Sequence, residues 1–137
     1  MAALAGCGAV LAAASAFTVP HRRRNGRVRV RGRDEGRRLG AAELGGGLGE
    51  RATLVQFSSA FCAPCRATRR ILGEVAGVVP GVAHIEIDAE ARLELVRELG
   101  ILKTPTVLVL DARGRVVRRA AGLPRKADVI AALGEAV

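Results

Sequence analysis

Hydrophobic and polar positions along the chain follow three successive patterns. From Met1 to Pro20 there is no charged residue, and Ala2 to Val19 is an unbroken apolar or small run in which Ser15 and Thr18 are the only hydroxyls. From Gly26 to Arg38 the period becomes two: Val28 and Val30 alternate with Arg27, Arg29 and Arg31, which predicts a linker or a first edge strand with one wet face. Beyond Leu39 strand and helix patterns alternate. Gly40 to Leu48 is a short helix candidate weakened by Gly45, Gly46 and Gly47. Ala52 to Ser58 is nearly continuous in apolar character, as expected of a strand with both faces covered. A helix follows from Cys62 to about Val78, with Ile71, Leu72 and Val75 at helical spacing. Val82 to Asp88 predicts a strand, Ala89 to Leu99 a helix, and Thr106 to Leu110 an all-apolar strand. The turn residues Asp111-Ala112-Arg113-Gly114 return the chain as a hairpin strand over Arg115 to Arg119, and Pro124 to Ala136 closes as a helix. The order β-α-β-α-β-β-α predicts an α/β fold, a mixed central sheet flanked by helices. The expected organisation is an anchor over 1–20, an Arg-rich linker over 21–38 and one folded domain over 39–137.

The first run is just long enough to span a bilayer, since about 20 residues match the hydrocarbon core. His21-Arg22-Arg23-Arg24 follows at once. Positive charge on one flank only predicts a single-pass transmembrane helix in the cell membrane with the downstream domain cytoplasmic. A cleaved signal peptide would begin with a positive region that this run lacks. Leu4-Ala5-Gly6-Cys7 has the form of a lipoprotein cleavage box, yet only three residues precede it and the apolar run follows it. Cys7 reads instead as a small buried hydrophobe. A buried helix packed on the domain is the remaining alternative.

Charge changes the picture once it is located. The net +9 is concentrated between Arg22 and Arg38, where nine Arg face Asp34 and Glu35; from Leu39 onward thirteen basic residues face eleven acidic ones. The folded part is close to neutral, and the Arg run reads as a solvated segment touching anionic headgroups. With three Phe and no Trp or Tyr there is no stacking surface for single-stranded nucleic acid, and no nucleic-acid partner is expected. At 137 residues the chain supports one domain with a real core.

Three cysteines do not make a disulfide framework. Cys62-Ala63-Pro64-Cys65 lies where a strand and the loop Ser58-Ser59-Ala60-Phe61 run into a helix, and in that setting the pair reads as redox chemistry. Free backbone N–H groups and the helix dipole favour a thiolate at such a start. Cys62 would be the exposed thiol, Cys65 the partly buried one a turn further on, and Pro64 would need no N–H partner there. Zinc would want four ligands, and the remaining candidates are Cys7, His21 and His84; no metal or other cofactor is expected.

Ala52 to Val137 resembles the thioredoxin family. The resemblance is carried by the strand–Phe61-Cys62-Ala63-Pro64-Cys65–helix unit, by Ile87-Asp88 ending the next strand, by Thr104-Pro105-Thr106 before Val107-Leu108-Val109-Leu110, and by Gly122. It implies a thioredoxin-like fold and a protein-disulfide oxidoreductase. It implies a cis Pro105 against the cysteine pair, with the Thr104 backbone exposed for an extended substrate. Phe61, Ala63, Pro64, Thr104 and Pro105 would form the substrate rim. Protein thiols and disulfides would be the partners, with a thioredoxin reductase as a candidate electron donor. The dipeptide Ala63-Pro64 is close to the reducing Gly-Pro type. Three residues depart from the family: Phe61 stands for the usual Trp, Ala63 for the usual Gly, and Gln56 for a buried Asp that takes the proton of the second thiol. His84 falls near the family's lysine and is a candidate for proton transfer through water. Two other readings are an envelope-facing protein serving exported thiols or cytochrome maturation, which needs the opposite topology, and a redox-inactive membrane-bound interaction module, against which both cysteines are intact.

Overall fold

The computed structural model describes residues 26–29 and 34–137. The expected anchor, with Cys7 and His21, lies outside the described residues; among the described residues no helix is long and apolar enough to cross a membrane. The elements are α1 (Ala41–Leu44), β1 (Ala52–Ser58), α2 (Ala63–Val78), β2 (Val82–Asp88), α3 (Leu93–Leu99), β3 (Thr106–Asp111), β4 (Val116–Ala121) and α4 (Lys126–Ala136). The four strands form one mixed sheet in the order β2-β1-β3-β4. β1 runs parallel to β2 and antiparallel to β3, and β3 and β4 are the antiparallel hairpin.

Side chains of successive strand residues point to opposite faces, and both faces are covered. On one face Val55, Phe57, Leu108 and Leu110 pack with Leu44 of α1 and with Leu95 and Leu99 of α3. On the other Leu54, Val107 and Val109 pack with Leu72 and Val75 of α2 and with Val129, Ala132 and Leu133 of α4. All of β1 is buried, which is why its sequence reads as a continuous apolar run. Each fully buried Leu, Val or Phe there contributes about 1.5–3 kcal/mol of transfer free energy.

Three helices begin or end away from their expected bounds, each for a local reason. α1 stops at Leu44 because Gly45 adopts φ 71°, a left-handed cap that glycine enters without penalty. α3 starts at Leu93 rather than Ala89. Asp88 holds the intervening turn, accepting the Glu90 N–H on its carboxylate at 2.9 Å and the Ala91 N–H on its carbonyl at 3.2 Å. α4 starts at Lys126, with Arg125 as its cap residue.

Among the described residues of the Arg-rich stretch, isolated bridges tie Arg29 to Arg119 and Arg38 to Arg115. Arg29 and Arg119 exchange backbone hydrogen bonds of 2.7 and 2.6 Å, and the Gly26 N–H donates to the Ala121 carbonyl at 2.7 Å. Val28 turns into the core beside α4. Gly26 is buried at φ 77°, and a Cβ there would overlap the Leu123 carbonyl, so only glycine fits. A second tie is charged: Arg119, 4% exposed, donates from Nε to Oδ2 of Asp34 at 2.9 Å and from Nη2 to Oδ1 at 2.6 Å, and Asp34 is 2% exposed. This bidentate geometry is the arrangement that offsets the cost of desolvating both ions. The domain contacts therefore begin before Leu39.

Candidate active site

The end of β1 delivers the chain toward α2 through Ser59, Ala60 and Phe61, the last of which is fully exposed and holds φ 56°. A left-handed backbone at a non-glycine residue costs about 1–3 kcal/mol and needs the surroundings to hold it. Immediately after it Cys62 occupies the N-cap of α2, with extended φ −99° and ψ 97°. Its sulfur accepts the Cys65 backbone N–H at 3.2 Å, the contact a thiolate would use at a helix start. Ala63 and Pro64 are exposed on the first turn, and Cys65, one turn in, is 1% exposed. The two sulfurs are joined in a disulfide, with Cα atoms 5.2 Å apart. One cysteine thus meets solvent and the other is shielded behind it.

Gln56 lies behind Cys65 and is fully buried. Its amide nitrogen donates to the Cys65 carbonyl at 2.8 Å and to the Ser58 hydroxyl at 2.9 Å. Both amide hydrogens are thereby used, so Oε1, 3.1 Å from His84 Nε2, is the acceptor and the imidazole carries its hydrogen on Nε2. The Gln56–His84 contact is direct. Burial holds the His84 imidazole below its ordinary pKa of 6.5; the Glu86 carboxylate pulls it up and the Arg69 guanidinium pulls it down. Arg69 itself grips Glu86 with two bonds of 2.6 Å on the outer side.

The third component is the loop before β3. The Thr104–Pro105 peptide is cis, as the resemblance implied. The Pro105 carbonyl accepts the Gly122 N–H at 2.7 Å, and Thr106 Oγ1 donates to the Lys103 carbonyl at 2.7 Å. Across from it, the Ser59 and Thr104 hydroxyls meet at 2.6 Å. Leu102, two residues before Thr104, is 87% exposed. The structure therefore gathers Gln56, His84 and Cys65 into one bonded network and ties Thr104 to the loop that carries Cys62. Sequence reasoning missed Ser58 and Ser59; the run of small hydroxyl residues before Phe61 was their only signal. Among the described residues no group of three or more His, Cys, Asp or Glu side chains could hold a metal ion.

A half-exposed sulfur at a helix start, a shielded partner one turn along and a proline loop bonded to the same segment define a dithiol–disulfide exchange centre on an α/β scaffold. Residues 48–135 match the family model described as Thioredoxin, well over half of the chain. The chain is 30% identical over 77 residues to a thioredoxin of Chlamydia muridarum, covering 56% of this chain and 74% of that one. It is 31% identical over 87 residues to a thioredoxin of Mycolicibacterium smegmatis, covering 61% and 77%. A match to human thioredoxin domain-containing protein 2, 31% identical over 84 residues, covers 61% of this chain and only 15% of the human protein. Among solved structures, spinach chloroplast thioredoxin f superimposes with a TM-score of 0.56 at 24% identity, covering 64% of this chain and 78% of the other. The Schistosoma mansoni thioredoxin pre-protein gives 0.56 at 19% identity, covering 64% and 81%. These two likenesses speak for the fold. The chain belongs to the thioredoxin family and is a thiol–disulfide oxidoreductase.

Proposed function

We propose that the protein works as a reductant of disulfides in extended polypeptide segments, at the face of a membrane to which its N-terminal run anchors it. The observation that carries the reductant reading is the placement of Cys62 at the N-cap of α2 with its sulfur on a backbone N–H, while Cys65 waits buried behind it. In the reduced state the Cys62 thiolate attacks one sulfur of a substrate disulfide, forming a mixed disulfide and expelling the other substrate sulfur as thiolate. Cys65 then passes its proton, through solvent, to the expelled substrate thiolate and attacks Cys62 Sγ, releasing the second substrate sulfur as thiolate. The Cys62–Cys65 disulfide forms, the mixed disulfide breaks, and two electrons have passed to the substrate. The open backbone of Thr104 would receive the peptide, with Phe61, Ala63, Pro64 and Pro105 as the apolar rim.

Proton handling at Cys65 differs from what an acid at position 56 would provide. Gln56 holds no lone pair toward Cys65, because its nitrogen faces that residue and its oxygen is taken by His84. His84 is the nearest titratable group in this network, and we assign it the role of coupling to Cys65 deprotonation through Gln56. A cytoplasmic domain would be recharged by a thioredoxin reductase; the Arg run after the apolar segment supports that side of the membrane. The test is reduction of insulin by the purified protein with Cys62→Ser alongside. Rapid reduction by the wild type and none by the variant is expected, and equal activity in both would remove the reading.

A further inference from the structure

The β1–β3 ladder holds its antiparallel register through Phe57 opposite Thr106. Continued outward, that register sets Ser58 against Pro105 and Ser59 against Thr104. Pro105 has no N–H to give, and regular backbone pairing ends there. The two segments are nevertheless joined one step further out, by the Ser59 and Thr104 hydroxyls at 2.6 Å. Both ends of this join are firmly held. The Ser58 carbonyl accepts the Ala89 N–H at 2.9 Å, and the residues flanking Thr104 are fixed through Lys103, Pro105, Thr106 and Gly122. Among the described residues, the backbone N–H and C=O of Thr104 take no hydrogen-bond partner. A side-chain bond carries the join, and no backbone group of Thr104 is spent on it.

We propose that Ser59 is a positioning residue that sets the affinity for peptide disulfides. Its hydroxyl fixes Thr104, with its open backbone groups, at one distance from Cys62, which lies three residues further along the same loop. The sulfur chemistry needs only Cys62 and Cys65. An extended peptide must in addition bond the Thr104 backbone while its own disulfide meets Cys62, so its binding depends on the spacing that the hydroxyl bond maintains. A disulfide too small to reach both places does not. The inference rests on the reading of Thr104 as the peptide-pairing residue.

The full chain is compared with Ser59→Ala, Thr104→Val, the double variant and Ser59→Thr, on a peptide with an internal disulfide and on a small aromatic disulfide. Loss of one hydrogen bond that fixes the binding groups predicts a rise in KM for the peptide of about three- to tenfold in each single variant, with kcat within about twofold. The double variant is expected to be no worse than either single one, because both remove the same bond, and Ser59→Thr is expected to keep the wild-type KM. For the small disulfide the change in Ser59→Ala is expected to be under about twofold. Unchanged peptide KM in both single variants overturns the proposal. Equal loss on both substrates also overturns it, since that marks general damage to the loop. If Cys62→Ser matches the wild type on either substrate, the oxidoreductase reading itself falls, which is a different result from a silent Ser59→Ala.

Discussion

Two buried polar centres sit on the same sheet and are built in opposite ways. At the β4 edge Arg119 and Asp34 are both ionised groups in a nearly closed environment, matched fork to fork. At the centre of β1 Gln56 is just as buried, yet it joins Cys65, Ser58 and His84 without a formal charge of its own. A charged pair suits a place where the chain has only to be held, because its desolvation cost is met once and its geometry admits a single arrangement. Behind Cys65 the sulfur changes between disulfide, thiol and thiolate. A fixed charge there would weigh on every one of those states, whereas an amide pins the start of α2 and leaves the sulfur's own charge to decide.

Breaking the charged centre should give the largest effect. Asp34→Ala leaves Arg119 buried and unpaired and is expected to cost about 3–5 kcal/mol, read from denaturant unfolding. Replacing both partners with apolar residues of similar volume should recover most of that loss; a double variant as unstable as the single one would mean that the pair does more than hold the edge. Gln56→Leu is the matching change at the neutral centre. It strips partners from the Cys65 carbonyl, the Ser58 hydroxyl and the His84 N–H, and is expected to cost about 1–3 kcal/mol in the same assay. It should also slow the second step, measured as slower release of substrate from the mixed disulfide.

The smallest effect concerns pH. The folded protein holds the His84 pKa below its ordinary value of 6.5, so in the acid range the unfolded chain binds more protons at this position than the folded one. His84 therefore favours unfolding as pH falls below 6.5 and through the folded-state pKa, and the slope vanishes once both states are protonated. His84→Gln is expected to flatten this limb in unfolding midpoints taken across that window. The same variant tests the coupling to Cys65: an unchanged pH profile of disulfide reduction would end that assignment.

Much of this was legible in the sequence, and the parts that were not share a cause. β1, β2 and the β3–β4 hairpin follow from apolar runs and turn residues, and the Cys62–Cys65 pair with Thr104-Pro105 follows from their placement on those elements. These are local patterns. The Asp34–Arg119 pair joins residues 85 positions apart, and neither has a neighbour whose pattern marks it for burial. Ser59 and Thr104 are 45 apart, and their meeting depends on the β1–β3 register, which no local signal states. Gln56 and His84 were each singled out, but the direction of the amide followed only when Ser58 and the Cys65 carbonyl could be seen to take both of its hydrogens. The start of α3 was missed because Asp88 spends its hydrogen-bonding capacity on a turn that helical periodicity does not register, and α4 starts later than the periodicity states because Arg125 stands at its cap in an extended conformation, φ −83° and ψ 142°.

Gly26 settles a matter of access. It bonds to Ala121, next to the Gly122 whose N–H holds the Pro105 carbonyl. The chain thus enters the fold at its reactive end. Bulk added at this edge of the sheet would therefore stand beside the loop that carries Thr104 and Pro105 and would narrow the approach to it.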